Sequence, residues 1–232
     1  SLGDRDTPVR YAAAKAISLI ISELEPEMGH EVIQAVLDTF KEDIPRSTVG
    51  IDYQTVNALK WHGLTLTLSH ALFKRSASPS QLLDILNALV SALNFEQRTA
   101  TGSSVGTNVR DAANFGIWSL SRRYTSDELL SVDMKDLRSA ASSSNQATVI
   151  QVMAVQLLLS ACLDPAGNIR RGSSAALQEL IGRHPNQVTE GIAIVQIVDY
   201  QAVGLRKRGL IDVAGKAASL DRVYWEALVD GL

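Results

Sequence analysis

The sequence predicts an all-α fold built as an array of stacked helical hairpins. Three observations carry that expectation. Apolar residues recur at helical spacing along most of the 232 residues, helix-start signals punctuate them, and one helix template is written three times. Apolar residues at i, i+3, i+4, i+7 and i+8 give a helix one buried stripe. Ile150, Met153, Ala154, Leu157, Leu158 and Ala161 follow that spacing.

Taken in order, Thr7-Pro8 opens a first helix near 8–24, because proline suits a first turn whose N–H has no intrahelical partner. Further helices are expected near 28–41 and 54–74. Ser78-Pro79-Ser80-Gln81 places a cap at Ser78 and Gln81 in the capping-box position, opening a helix over 79–93. After a helix over 107–124, Thr125-Ser126-Asp127-Glu128 repeats that signal and opens 126–136. Helices near 146–163, 168–183 and 203–219 follow, with shorter ones at 190–198 and 221–230. GIAIVQIVD at 190–198 is rich in β-branched residues and also fits a strand. A single strand without partners makes no sheet, so a helix is expected. The links 42–53, 94–106, 137–145 and 184–189 are polar or rich in Ser, Thr, Gly, Pro and Asn and read as loops. ASSSNQA at 141–147 is the nearest approach to low complexity.

The template is the most informative feature. Val9-Arg10 is followed by Ala12, Ala13, Ala16, Ile17 and Ile20. Val109-Arg110 is followed by Ala112, Ala113, Gly116, Ile117 and Leu120, and Ile169-Arg170 by Gly172, Ser173, Ala176, Leu177 and Leu180. Small residues at +3, +4 and +7 let a neighbouring helix come close, and large ones at +8 and +11 fill the space beyond. Arg10, Arg110 and Arg170 lie off that stripe, where they can form a ladder by pairing with polar groups at the start of a neighbouring helix; Asp111 is read with the same ladder. Asp6, Asn108 and Asn168 stand where an N-terminal residue is wanted. Weaker copies open at Leu59-Lys60-Trp61-His62-Gly63 and Leu205-Arg206-Lys207-Arg208-Gly209. The basic positions 10, 60, 110, 170 and 206 are 50, 50, 60 and 36 apart. Each interval holds one helical hairpin, which buries its stripe only by stacking on the next. This is the logic of a HEAT-like α-solenoid, a right-handed superhelical array. Residues 1–232 are expected to be one such segment of about five hairpins, within a longer chain.

Composition removes several functions. Hydrophobic residues make up 46% and charged residues 20%, which argues against wholesale disorder. The net charge of −3 argues against a nucleic-acid protein, and no apolar run is long enough for a membrane span. Cys162, the one cysteine, sits in an apolar run and reads as a core residue, consistent with a reducing compartment. No metal or cofactor is expected: His62 and His70 are two turns apart, too far for two ligands of one ion, and His30 and His184 stand alone. Gly102-Ser103-Ser104-Val105-Gly106 fits the nucleophile elbow, but that motif needs a strand before it, so a Ser104 hydrolase is a minor alternative. Gly209 to Gly215-Lys216 resembles a phosphate loop with the wrong spacing, inside a helical pattern. Trp61, Trp118 and Trp225 are expected in the core or half-buried.

SVGTNVRDAANFGIWSLSRRY at 104–124 resembles a segment of the tubulin-folding cofactor D family. DRDTPVRYAAAKAI (4–17), KWHGLTLTLSHAL (60–72), NIRRGSSAALQELIGRHP (168–185) and DYQAVGLRKR (199–208) resemble further stretches of that family in the same order. The link at 41–54 looks longer than the family's. The resemblance implies a large, non-enzymatic HEAT-repeat chaperone that is cytoplasmic and works at the microtubule cytoskeleton. Its implied partners are β-tubulin, cofactors C and E and an Arf-like small GTPase, and its implied role includes stimulating GTP hydrolysis by tubulin. An acidic partner would make Arg122, Arg123, Arg171, Arg206, Lys207 and Arg208 candidate contacts. The Gly106-Thr107-Asn108 turn is a further candidate, since binding residues concentrate on loops. The alternative is an unrelated HEAT-repeat adaptor for protein–protein interaction.

Overall fold

The computed structural model describes residues 1–42, 53–102, 104–133 and 147–232. Residues 43–52 of the link expected at 42–53, the link at 137–145, most of the 141–147 stretch, the end of the helix expected at 126–136, and Ser103 fall outside the described residues. Among the described residues there are eleven α-helices: α1 Thr7–Glu23, α2 Pro26–Glu42, α3 Ala58–Phe73, α4 Leu82–Leu93, α5 Thr107–Arg123, α6 Ser126–Leu130, α7 Val149–Leu163, α8 Gly167–Arg183, α9 Gly191–Ile197, α10 Ala214–Ala218 and α11 Arg222–Asp230. The fold is an all-α solenoid; the extended backbone pairing among these residues is a lone bridge between Arg98 and Ser104. The β-branched run at 190–198 is helical, as α9. No helix among the described residues is long and apolar enough to cross a membrane. Contacts group the chain into two compact units, Ser1–Arg123 and Tyr124–Leu232.

In the first unit α3 stands between α1 and α5. Arg10 and Tyr11 meet His62, then Ser69 meets Ala112, His70 meets Phe115 and Arg75 meets the Arg123 carbonyl. The numbers rise together, so the three helices are parallel in one layer. α2 and α4 form the layer behind, joined by Gln81 Nε2 donating to the His30 carbonyl (2.9 Å) and by Lys41–Asp84 (2.7 Å). Between the layers Trp61, fully buried, stacks on Phe40 at 4.0 Å and meets Phe95 and Tyr53 at 5.3 and 5.9 Å. Small residues make the close approach possible: a Cβ on Gly116 would lie 2.6 Å from both Leu89 Cδ2 and Ser69 Oγ.

The template stripe is fully buried in α5, where Val109, Ala113, Ile117 and Leu120 have no exposure. In α1 it is not. There the buried residues are Arg10, Ala14, Ser18 and Ile21, one step round the helix, while Val9 and Ile20 are 39% and 56% exposed. The reason is positional. α5 has α3 and α4 to pack its stripe against, whereas α1 in this unit meets α2 and α3 with the face one step round.

In the second unit α7 is apolar all round and central, packed by α6, α8 and α11. Gln151 ties it outward: its Oε1 accepts from Thr189 N–H at 2.8 Å, and Tyr224 Oη donates to the Thr189 carbonyl. Ser173 of α8 donates to Ser160 of α7 at 2.7 Å. Cys162 is fully buried in this unit, and burial pushes its thiol up to about 12. At pH 8 the native protein should therefore react with a disulfide reagent at least tenfold more slowly than the urea-unfolded chain. Equal rates would place the thiol at the surface.

Several expectations are corrected. α3 starts at Ala58 rather than 54, because the Asn57 side chain accepts from the Leu59 and Lys60 N–H groups at 3.1 Å and caps the helix there. Asn108 and Asn168 lie inside the first turns of α5 and α8; Asp6 alone of the three holds the flanking position. The helix expected at 203–219 begins later and contains a π-helical stretch, Arg208–Val213, before α10. Residues 201–204 form turns instead, where Asp199 accepts the Gln201 N–H at 2.8 Å and Arg170 donates to the Val203 and Gly204 carbonyls. Trp61 is buried and Trp118 half-buried, but Trp225 is 58% exposed.

Candidate partner-binding surface

The template arginines are buried, and each donates to at least one backbone carbonyl. Arg10 donates from Nη1 to the Asp4 and Arg5 carbonyls at 2.6 and 2.9 Å, from Nη2 to Thr7 Oγ1 at 2.9 Å, and from Nε to His62 Nδ1 at 2.8 Å. Arg170 repeats the geometry. Its Nη1 reaches the Asp164 and Pro165 carbonyls at 2.7 and 3.0 Å, again six and five residues back, while Nε and Nη2 reach the Val203 and Gly204 carbonyls at 2.6 and 2.8 Å. Arg110 donates to the Phe95 carbonyl at 2.7 Å and forms an ion pair with Glu96 at 2.5 Å. Each guanidinium therefore fastens the turn before a helix, and a planar fork with five donors is suited to several carbonyls at once. Asp111 stands apart from this set: among the described residues it makes no hydrogen bond or ion pair, and it lines a groove between α1 and α5.

The Gly106-Thr107-Asn108 turn divides. Gly106 is buried, and a Cβ there would lie 2.6 Å from the Phe95 carbonyl oxygen and 2.9 Å from Arg110 Nη1. Its role is to let the Arg110 site close. Thr107 is half-buried, and only Asn108 is exposed. Ser104 donates to Glu96 Oε2 at 3.2 Å and lies within 3.4–3.5 Å of the Arg110 guanidinium. Its neighbours are thus an ion pair, with no imidazole among them.

Five of the six candidate contact cations are exposed; Arg171 is half-buried, with its Nε inside the protein. Arg122 and Arg123 are exposed at the end of α5, stacked over Trp118 (4.8 Å) and Phe73 (4.5 Å). In the second unit Arg206, Lys207 and Arg208 are exposed. Arg171 lies over the ring of Tyr200 at 5.3 Å. Leu205, Ile211 and Tyr200 are 68%, 57% and 56% exposed, so apolar area adjoins this charge. Arg122 over Trp118 is readable as an i, i+4 pair; Arg123 over Phe73 joins two helices 50 residues apart and leaves no local sequence signal.

Residues 1–192 match the family described as "Tubulin-specific chaperone D-like, ARM repeats". The chain belongs to this family. It is 30% identical over 204 residues to "Tubulin-specific chaperone D" of Dictyostelium discoideum, covering 88% of this chain and 12% of that protein. It is 27% identical over 205 residues to "Tubulin-folding cofactor D" of Schizosaccharomyces pombe, covering 88% of this chain and 17% of that one. The chain thus spans a small part of the length of these tubulin-specific chaperone D relatives. No solved structure matches it. Arg10, Arg110 and Arg170 all lie within the matched span, and Arg206, Lys207 and Arg208 lie beyond it.

Proposed function

We propose that this chain is a non-catalytic scaffold segment of a tubulin-folding chaperone. In this reading it binds β-tubulin and works with cofactors C and E and an Arf-like small GTPase in making and dismantling the αβ-tubulin heterodimer. Support of GTP hydrolysis by tubulin, and a cytoplasmic place at the microtubule cytoskeleton, belong to the same reading. Membership of the tubulin-specific chaperone D-like family supports the tubulin connection.

The observation that carries the contact surface is the exposed Arg206-Lys207-Arg208 run beside exposed Leu205 and Ile211. Cations at the rim would speed and orient the approach of an acidic partner, and the apolar side chains would supply burial on contact. The test is binding of this chain to β-tubulin, the two cofactors and the GTPase in turn. Charge reversal at Arg206, Lys207 and Arg208 should weaken tubulin binding at least tenfold, more strongly at low salt, without lowering the melting temperature. Unaltered affinity in a folded variant removes the cluster from the interface. Failure to bind any of the four partners overturns the scaffold reading for this segment.

A further inference from the structure

A groove of about 480 Å³ runs along the first unit, with α3 as its floor and α1 and α5 as its walls. Each helix contributes an i, i+4 pair: Tyr11 and Lys15 from α1, Leu66 and His70 from α3, Asp111 and Phe115 from α5. Ala12 and Ala112 give it depth, because neither carries a side chain that could fill it. The floor is the buried Leu66 and the half-buried ring of His70, and the two formal charges stand on opposite walls, Lys15 a turn further along than Asp111.

Asp111 is the informative residue. Its carboxylate is half-buried, and burial holds its pKa above the ordinary 3.8. No cation lies within ion-pair distance among the described residues, and the nearby Tyr11 hydroxyl makes no hydrogen bond to it. A carboxylate drawn out of water without a partner is unfavourable, and an incoming cation would relieve that.

We propose that this groove seats an amphipathic helix of a partner protein, one that places a Leu-sized side chain between Ala12 and Phe115, above the buried Leu66, and a Lys or Arg, one turn away, against Asp111. The three pairs, two on the walls and one on the floor, repeat at one helical turn, about 5.4 Å, which is the spacing of i, i+4 side chains on an incoming helix. Lys15, at the other end, favours a carboxylate there and fixes the direction in which the helix lies. This goes beyond the basic surface of the second unit: the charge it selects is the opposite one.

The test uses this chain and fluorescein-labelled 12-residue helical peptides of Ala and Gln carrying Leu–Arg, Leu–Glu or Ala–Arg at i, i+4, read by anisotropy. Leu–Arg should bind at least tenfold more tightly than the other two. Asp111→Asn should abolish the preference, and Asp111→Lys should transfer it to Leu–Glu, with unchanged circular dichroism in both variants. Equal affinity for Leu–Arg and Leu–Glu, or no binding of Leu–Arg below about 1 mM, overturns the proposal. Self-association of the chain that disappears in Asp111→Asn, without any peptide preference, also overturns it and assigns the groove to a second copy.

Discussion

Arg170→Met should lower the stability of the second unit by roughly 3–5 kcal/mol, measured by urea unfolding. The guanidinium is 3% exposed and donates to four carbonyls, two in the α7–α8 turn and two at Val203 and Gly204. Methionine keeps the length of the side chain and removes every donor. Carbonyls left buried without a partner cost about 1–3 kcal/mol each, less whatever water can re-enter. Arg170→Lys should recover only part of the loss, because a compact ammonium cannot span acceptors held by two separate turns. Arg10→Met is the instructive contrast. Two of its acceptors, the Asp4 and Arg5 carbonyls, lie beside the largely exposed start of the chain, where water replaces the lost donor. Its cost should be smaller, about 1–3 kcal/mol. A loss below about 1 kcal/mol for Arg170→Met would mean that its four acceptors are hydrated in the folded protein.

The helices were legible because their signals are local. Apolar spacing placed α1, α2, α5 and α8 within two residues of their observed ends, and the Thr125–Glu128 box forms as written, with Thr125 N–H donating to Glu128 Oε2 at 2.7 Å. The template singles out three arginines off its apolar stripe; that the structure buries them, and what they bind, it does not say. Backbone carbonyls carry no sequence signature, so the Asp164, Pro165, Val203 and Gly204 acceptors of Arg170 were invisible. The groove was hidden for a related reason. Tyr11 with Lys15 and Asp111 with Phe115 are visible as pairs on their own helices. That both pairs face each other across α3 depends on the rotational setting of α1, and there the buried side is not the template stripe. The turns before 205 left no local signal in part because Arg170, which takes the Val203 carbonyl, lies 33 residues away.

The stability of the first unit should fall by about 3 kcal/mol between pH 6.5 and 4 through His62 alone. His62 is 1% exposed, and its Nδ1 accepts the Arg10 Nε–H at 2.8 Å, which requires a neutral ring with its proton on Nε2. Burial, and then the Arg10 charge, lower its pKa from 6.5 to about 4. The folded value lies below the unfolded one, so as pH falls the unfolded chain takes up the proton first. The contribution is complete above pH 6.5, erodes through the interval, and is gone once the folded ring protonates near 4. Each pH unit in that window is worth about 1.4 kcal/mol. His70 shifts in the same direction, through burial and then Lys15, so the wild-type profile alone does not isolate His62. The difference between wild type and His62→Gln does, because glutamine keeps an acceptor for Arg10 and cannot titrate. That difference should shrink by about 3 kcal/mol from pH 7 to 4, while the carboxylates shared by both proteins cancel. Parallel profiles would show that the ring protonates at its ordinary pKa, and that Arg10 is held by the Asp4 and Arg5 carbonyls without help from α3.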